Sequence, residues 1–410
     1  MNITPRGCSS IGGELARVME DCRERAMKFF MSYGYSPFNP AEFQLLGEAI
    51  KNLHRRRGER LIVVNSPFGE PCCLRADITL SALSYMALHH APDEFPLRLC
   101  YAERVFSAPL APKENLEDTQ IGVELIGWEG LGSDIEITSL LLRSLGSLGL
   151  EGSSVVLGDV SIASGLFSSL PKEAAERIVD CLQEMDYCGY ESALDNAGIS
   201  GHDREALSEL PLLKGTPDIL DRAESIFKSR EPFKPLREIT AALEKLGCGD
   251  RIRIDLGFIR DLGYYSGPVF NVYSPSGALL GGGGRYAYTL ADTRFSCQAV
   301  GFGVSLRELA QNSSRLSNHK TGTNVMIWSG SSPADKTIAF AEKLTKTQIP
   351  FEISWSPNKE ASKKLALARG CVWWMNMEDE TVIELSSGKI VPASIFSKST
   401  RNAWADSELR

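Results

Sequence analysis

The sequence predicts an α+β fold: a largely antiparallel sheet flanked by helices, with a helical insertion and a small α/β domain at the C-terminus. Three observations predict it. Short apolar segments follow one another through short polar connections over residues 60–127 and again over 251–304, the sequence mark of antiparallel neighbours. Between these two blocks, residues from about 165 to 245 carry helical periodicity. Beyond residue 323 strands and helices alternate, as in a small α/β unit. The core is therefore assigned to 1–315, with the insertion at about 165–245, and the small domain to 323–410. The polar stretch QNSSRLSNHKTGT (311–323) reads as the linker.

The elements follow in order. Leu15, Val18, Met19, Cys22, Ala26, Phe29 and Phe30 recur near helical spacing, and Gly34 ends that helix. YSPFNP runs extended to Pro40. RLIVVN (60–65) and CCLR (72–75) are strands around a Pro/Gly turn, and a helix starts near Asp77 and runs through TLSALSYMALHH. LRLCYAERVF (97–106) and IGVELIG (121–127) are strands; Asp134 stands where an N-cap would precede IEITSLLLRSLGSLG. Pro171 opens a helix whose stripe is Ala175, Ile178, Val179, Leu182 and Met185, and the whole insertion reads as helical. RIRIDLGFI (251–259), PVFNVYS (268–274), ALLGGGGRY and AVGFGV (299–304) return to strand character. In the C-terminal domain NVMIWSG, PFEISW, CVWWMNM and TVIELSSGKIV read as strands, separated by helices through DKTIAFAEKLTKT and EASKKLALARG.

Composition narrows the function. Hydrophobic residues at 43% and charged residues at 23% suit a soluble globular chain. The net charge of -8 argues against a nucleic-acid surface, which needs clustered Lys and Arg. The dense basic run HRRRGER (54–60) reads as a solvated loop, with a docking patch for an acidic partner as the sharper alternative. The 10 cysteines form no CxxC pair, so they are expected to be reduced, buried small hydrophobes, with no metal site. MNITPRGCSS lacks the signal-peptide pattern and no apolar run approaches a membrane span. A cytoplasmic protein without a cofactor or a membrane contact is expected.

LLGGGGRYAYTL (279–290) poses a sharper question. A Walker-type phosphate loop needs Lys-Ser/Thr after its glycines, whereas Arg285 and Tyr286 follow here. The run reads instead as a strand stripped of side chains where a ligand lies against backbone, with Tyr286 as a contact.

GYSPFNP, CCLRADIT, RLCYAERVF, TQIGVELIG, IRDLGYYSGPVF, GGGGRY and AVGFGVSLREL occur in this order. Together they resemble the histidyl-tRNA synthetases and their non-synthetase paralogues over nearly the whole chain. The resemblance implies the class II aminoacyl-tRNA synthetase-like core, with a C-terminal module like an anticodon-binding domain. It also implies a dimer formed through the segment around Pro40. Carried over residue by residue, it implies a histidine-like pocket made by Asp77, Thr79, Gln120, Glu124, Arg260, Tyr264, Tyr265 and Tyr286. Such a set offers carboxylates to an ammonium, a cation to a carboxylate, and hydrogen-bonding partners to an imidazole. Each residue also has a structural reading: Asp77 as an N-cap, Gln120 and Glu124 as solvated edge-strand residues, Tyr264 and Tyr265 as core aromatics.

The ATP side departs from the synthetase pattern. The arginine expected directly after Phe106 is Ser107, and the one expected at the start of the last core helix is Glu308. Arg307 is adjacent, but one helical step turns a side chain by about 100°. Asp261 and Gly263 are further departures. The chain therefore has no expected catalytic residue. Among the paralogues it is most similar to regulatory subunits of ATP phosphoribosyltransferase, with LRADIT matching their pattern better than that of the synthetase. That resemblance implies a non-catalytic subunit in histidine biosynthesis that activates the short-form catalytic subunit and transmits feedback inhibition by histidine. The alternatives are a synthetase-like paralogue that still binds or ligates an amino acid, and a tRNA-binding module.

Overall fold

Four buried residues at every fourth position, Val18, Cys22, Ala26 and Phe30, fix the first helix, α1 (Gly13–Ser32). Their stripe packs on the main sheet, where each fully buried large apolar side chain contributes about 1.5–3 kcal/mol. The computed structural model describes residues 4–52, 58, 60–89, 96–109, 115–167, 170–258, 265–289, 296–314, 325–346 and 349–392.

The chain forms two units, Met1–Leu316 and Ser317–Arg410. The first continues with β1 (Ser36–Pro37), β2 (Phe43–Leu45), α2 (Leu46–Asn52), β3 (Val63–Asn65), β4 (Pro71–Leu74) and α3 (Ile78–His89). Then come β5 (Leu97–Phe106), β6 (Glu117–Ile126), α4 (Leu131–Ser147), β7 (Ser154–Asp159) and α5 (Val160–Leu166). The insertion contributes α6 (Lys172–Gln183), α7 (Tyr187–Asn196), α8 (Gly201–Glu209), β8 (Lys214–Gly215), α9 (Ile219–Phe227) and α10 (Lys234–Lys245). The unit closes with β9 (Ile252–Asp255), β10 (Tyr265–Tyr273), β11 (Leu279–Thr289), β12 (Ser296–Ser305) and α11 (Leu306–Asn312).

Nine strands make one sheet in the order β1-β5-β6-β12-β11-β10-β7-β9-β8. The six strands from β5 to β7 are antiparallel throughout. Parallel pairing occurs only toward the edges, β1 with β5 and β7 with β9. A second sheet, β2-β4-β3, is tied to the first by fully buried Arg75. Its guanidinium donates to the carbonyls of Arg104 (2.6 Å) and Pro40 and to Glu103 (3.1 Å).

Two expectations change. The insertion is not wholly helical, because β8 leaves it to pair with β9 at the edge of the main sheet. Asp134 is not an N-cap: α4 starts after Gly130, and Asp134 sits in its first turn. There it pairs with Arg285 (2.6 Å), both side chains being buried. The guanidinium also reaches the Gly130 carbonyl and the Ser133 hydroxyl, so it fastens the start of α4 to β11.

The glycine run is β11 itself. A Cβ at Gly283 would lie 2.0 Å from the Gly301 carbonyl oxygen. Gly284 has φ +155, and its Cβ would lie 2.7 Å from the Pro268 carbonyl oxygen. The neighbouring strands β12 and β10, rather than a ligand, account for glycine at these two positions.

The second unit comprises β13 (Val325–Trp328), α12 (Ala334–Lys346), β14 (Phe351–Ser354), α13 (Lys359–Ala368), β15 (Trp373–Asn376), β16 (Thr381–Glu384) and β17 (Ile390–Pro392). Its sheet order is β14-β13-β15-β16-β17, parallel across β14, β13 and β15. Trp328 stacks on Trp374 at 5.6 Å, with Lys359 over both rings.

Candidate functional site

Alternation along β6 sends Gln120, Gly122 and Glu124 to one face of the sheet. β6 lies between β5 and β12, so neither polar residue is on an edge strand. Across the ladder, Gly301 is paired with Glu124. A Cβ at Gly301 would lie 2.1 Å from Glu124 Oε2, and one at Gly303 would lie 3.1 Å from Gln120 Oε1. Alternating glycines on β12 thus clear a floor on which both side chains rest.

Glu124 is the centre of this face and is 1% exposed. The hydroxyl of Thr79, from the first turn of α3, donates to its Oε1 at 2.7 Å. The hydroxyl of Tyr286, on β11, donates to its Oε2 at 2.6 Å. Burial pushes the Glu124 carboxyl up to about 8, against the hydrogen bonds from Tyr286 and Thr79 and assisted by the charge of Asp77. Tyr101 on β5 lies alongside, its hydroxyl donating to the Phe302 carbonyl at 3.1 Å. Burial holds its phenol well above the usual range, with the Glu124 and Asp77 charges acting in the same direction.

Asp77 caps α3: its Oδ1 accepts from the Leu80 amide at 3.1 Å. The cap and a place in the cluster around Glu124 coexist, because the capping turn carries Thr79 to Glu124. Tyr265 is half-buried and pairs in register with Tyr286. Asp77, Thr79, Glu124 and Tyr286 therefore cluster, Gln120 lies further along the same strand face, and Tyr265 stands beside them. Arg260 and Tyr264 lie outside the described residues, as do Asp261 and Gly263. Tyr101, Gly301 and Gly303 were not singled out as site residues from the sequence. The alternation of glycines in AVGFGV is the signal that could have found the latter two.

The other end of the face differs. Ser107 follows β5 with its amide bonded to the Leu116 carbonyl at 2.9 Å. Next to it, Arg60 Nε donates to the Ala108 carbonyl at 2.9 Å. Glu308 is half-buried on α11, its amide capped by Ser305 Oγ at 3.2 Å. Arg307 instead donates to Ser9 Oγ at 3.1 Å. The N-terminal segment also accepts from Leu116 through the Gly7 carbonyl at 2.7 Å.

On its outer face α3 borders a groove of about 710 Å³, lined by Phe38, Pro40, Phe43, Leu45, Tyr85 and Leu88 among others. Phe43 is 56% exposed and Leu88 76%. Among the described residues, no helix is long and apolar enough to cross a membrane.

Comparison with known proteins agrees with the fold. The histidyl-tRNA synthetase family model matches residues 7–309. A relative from Moorella thermoacetica named ATP phosphoribosyltransferase regulatory subunit is 32% identical over 313 residues, covering 74% of this chain and 80% of its own. One of the same name from Desulfitobacterium hafniense is 27% identical over 351 residues, covering 84% and 89%. A solved structure from Bacillus halodurans, described as an ATP phosphoribosyltransferase regulatory subunit/histidyl-tRNA synthetase, superposes with TM-score 0.79 at 21% identity over 92% of this chain and 97% of its own. Histidyl-tRNA synthetase from Nostoc does so at 0.78 and 16% identity, over 98% and 99%. At such identities the solved structures establish the fold alone. The chain belongs to the histidyl-tRNA synthetase family, among its ATP phosphoribosyltransferase regulatory subunits.

Proposed function

We propose that this chain is a non-catalytic subunit that binds histidine, activates the short-form catalytic subunit of ATP phosphoribosyltransferase and transmits histidine feedback inhibition to it. One contrast carries the reading. The ligand face keeps a buried carboxyl dressed by Thr79 and Tyr286, while the nucleotide end carries Ser107 and Glu308 in place of phosphate-facing arginines. Each preorganised donor on a developing charge contributes about 2.7–4 kcal/mol, so losing two lowers activation by on the order of 10⁴–10⁶-fold. A sensor needs differential affinity for two states of an assembly, not chemistry. Supporting names come from relatives such as that of Moorella thermoacetica, a regulatory subunit of this transferase.

Reconstitution tests it. Adding the purified chain to a short-form catalytic subunit is expected to raise its rate and to make it inhibitable by histidine. No change in rate, together with separate elution of the two proteins, sinks the reading. A second reading, an amino-acid-ligating paralogue, draws on Arg60, which reaches the backbone beside Ser107. Histidine-dependent ATP–pyrophosphate exchange would favour it.

The same proposal has the chain pair with a second copy through the groove around Pro40, supported by the exposed apolar side chains of Phe43 and Leu88. Leu88→Lys is then expected to shift the light-scattering mass from dimer to monomer. A wild-type mass already monomeric at micromolar concentration contradicts the pairing.

A further inference from the structure

Tyr101, Gly122 and Gly303 form one row across three neighbouring strands. Tyr101 on β5 pairs in register with Gly122 on β6, and Gly122 pairs with Gly303 on β12. The row continues to Gly282 on β11. Residues paired in register project to the same face of a sheet. This row therefore lies between that of Gln120, paired with Ser305, and that of Glu124, paired with Gly301. Tyr101 lies along its row instead of standing up from it. A Cβ at Gly122 would lie 2.7 Å from its hydroxyl oxygen, and one at Gly303 would lie 3.1 Å from it. The phenol thus crosses β6 and delivers its hydroxyl to the Phe302 carbonyl on β12 at 3.1 Å. Its ring end rests over Gly122, between Gln120 and Glu124 on the same strand, and the hydroxyl also interacts with the Glu124 carboxyl. An apolar core ring needs only apolar neighbours; this one is laid across two glycines and fastened by its polar tip.

We propose that Tyr101 is a positioning residue of the histidine pocket: its fastened phenol keeps Gln120 and Glu124 apart and fixes where the Glu124 carboxyl meets the ligand. Tyr101 is 2% exposed and acts through these two side chains, not by touching the ligand. This role rests on the histidine-pocket reading above and adds the buried residue that sets the pocket's geometry. Without the hydroxyl the ring loses its tie to β12, and the separation of the two polar side chains is no longer fixed. One hydrogen bond of this kind corresponds to about tenfold in a binding constant.

Titration calorimetry of the full chain with L-histidine, well below the thermal midpoint of each variant, tests the role. Tyr101→Phe keeps the ring and is expected to weaken histidine binding by about tenfold. In Gly303→Ala the new Cβ meets the phenol tip and Gln120 Oε1, at 3.1 Å each. Binding is expected to weaken there too, while the thermal midpoint stays close to wild type. In the double variant the missing hydroxyl makes room for the methyl group. Its affinity is expected to match that of Tyr101→Phe alone, not the product of the two losses. Wild-type histidine affinity in Tyr101→Phe, or losses that multiply in the double variant, overturns the role and leaves the pocket standing. Absence of saturable heat with the wild-type chain overturns the pocket and the role together. Tyrosine ring-carbon NMR of the wild-type protein supplies a readout independent of any variant's folding. The Tyr101 Cζ signal should shift when histidine is added, and a signal that stays in place at saturation overturns the role.

Discussion

Arg285 and Tyr286 are consecutive on β11 and serve opposite faces of the main sheet: Arg285 meets Asp134 at 2.6 Å, and Tyr286 meets Glu124 at 2.6 Å. One residue ties the start of α4 to the sheet; the next hydrogen-bonds the buried Glu124 carboxyl. The two roles can be separated by mutation, because strand alternation keeps them on different sides.

Arg285→Met leaves Asp134 buried without its partner, and breaking a buried pair from one side costs about 3–5 kcal/mol. The denaturant midpoint should fall accordingly, while Arg285→Met combined with Asp134→Leu should recover most of the loss. A double variant as unstable as the single one would show that packing of the guanidinium, not its charge, matters here.

Gly301→Ala and Gly303→Ala should differ sharply. The first Cβ meets the Val123 carbonyl oxygen at 2.5 Å as well as Glu124, so the backbone must shift, at a cost on the order of 1–3 kcal/mol. The second meets only the far ends of Gln120 and Tyr101, at 3.1 Å. Thermal midpoints compared side by side should place Gly303→Ala close to wild type and Gly301→Ala well below it.

The stability of the ligand-free protein should fall as pH rises from about 5 to about 8. Glu124 titrates near 8 in the folded chain against a usual value of 4.5, so in this window the native state binds more protons than the unfolded one. Each unit of pH in the window removes up to about 1.4 kcal/mol. Urea midpoints measured across the range should slope downward for wild type and flatten for Glu124→Gln.

Asp159 makes the same prediction at a lower pH. Burial lifts its carboxyl to about 6, and although Oδ1 accepts from Ser161, Oδ2 has no hydrogen-bond partner among the described residues. Its stabilising neutral form is lost as pH rises from about 4 through 6. Asp159→Asn should therefore gain on wild type more at pH 8 than at pH 5, in parallel melting curves. Equal differences at the two values would mean that Asp159 is already ionised at the lower one.

Much of this was legible in the sequence. LRLCYAERVF is strand β5 from end to end, because seven apolar residues among ten, interrupted by Arg98, Glu103 and Arg104 and bounded by polar loops, leave little choice of state. Asp134 was read wrongly because a carboxylate near a helix start serves equally as cap or as ion-pair partner. The deciding residue, Arg285, lies 151 positions on. Strand β8 escaped notice since two residues carry no periodicity; only its partner β9 gives it a state. On the face of Glu124, strand alternation alone places Gln120 and Glu124 on one side. Tyr101 was hidden by its resemblance to an ordinary core aromatic. Its position beside Glu124 follows from β5 pairing with β6, which local spacing does not reveal.

That two-residue strand also decides how the helical insertion may be handled as a piece of protein. Lys214 and Gly215 cover the outer rim of β9, and Lys214 holds Asp255 at 3.2 Å. Cutting out the segment would strip a row of amide and carbonyl groups bare on β9, beside the apolar residues Ile252 and Ile254. An uncovered rim of that kind templates pairing between molecules. The insertion is thus a bandage on the sheet as well as an ornament of it, and a shortened chain needs a replacement strand to stay dispersed.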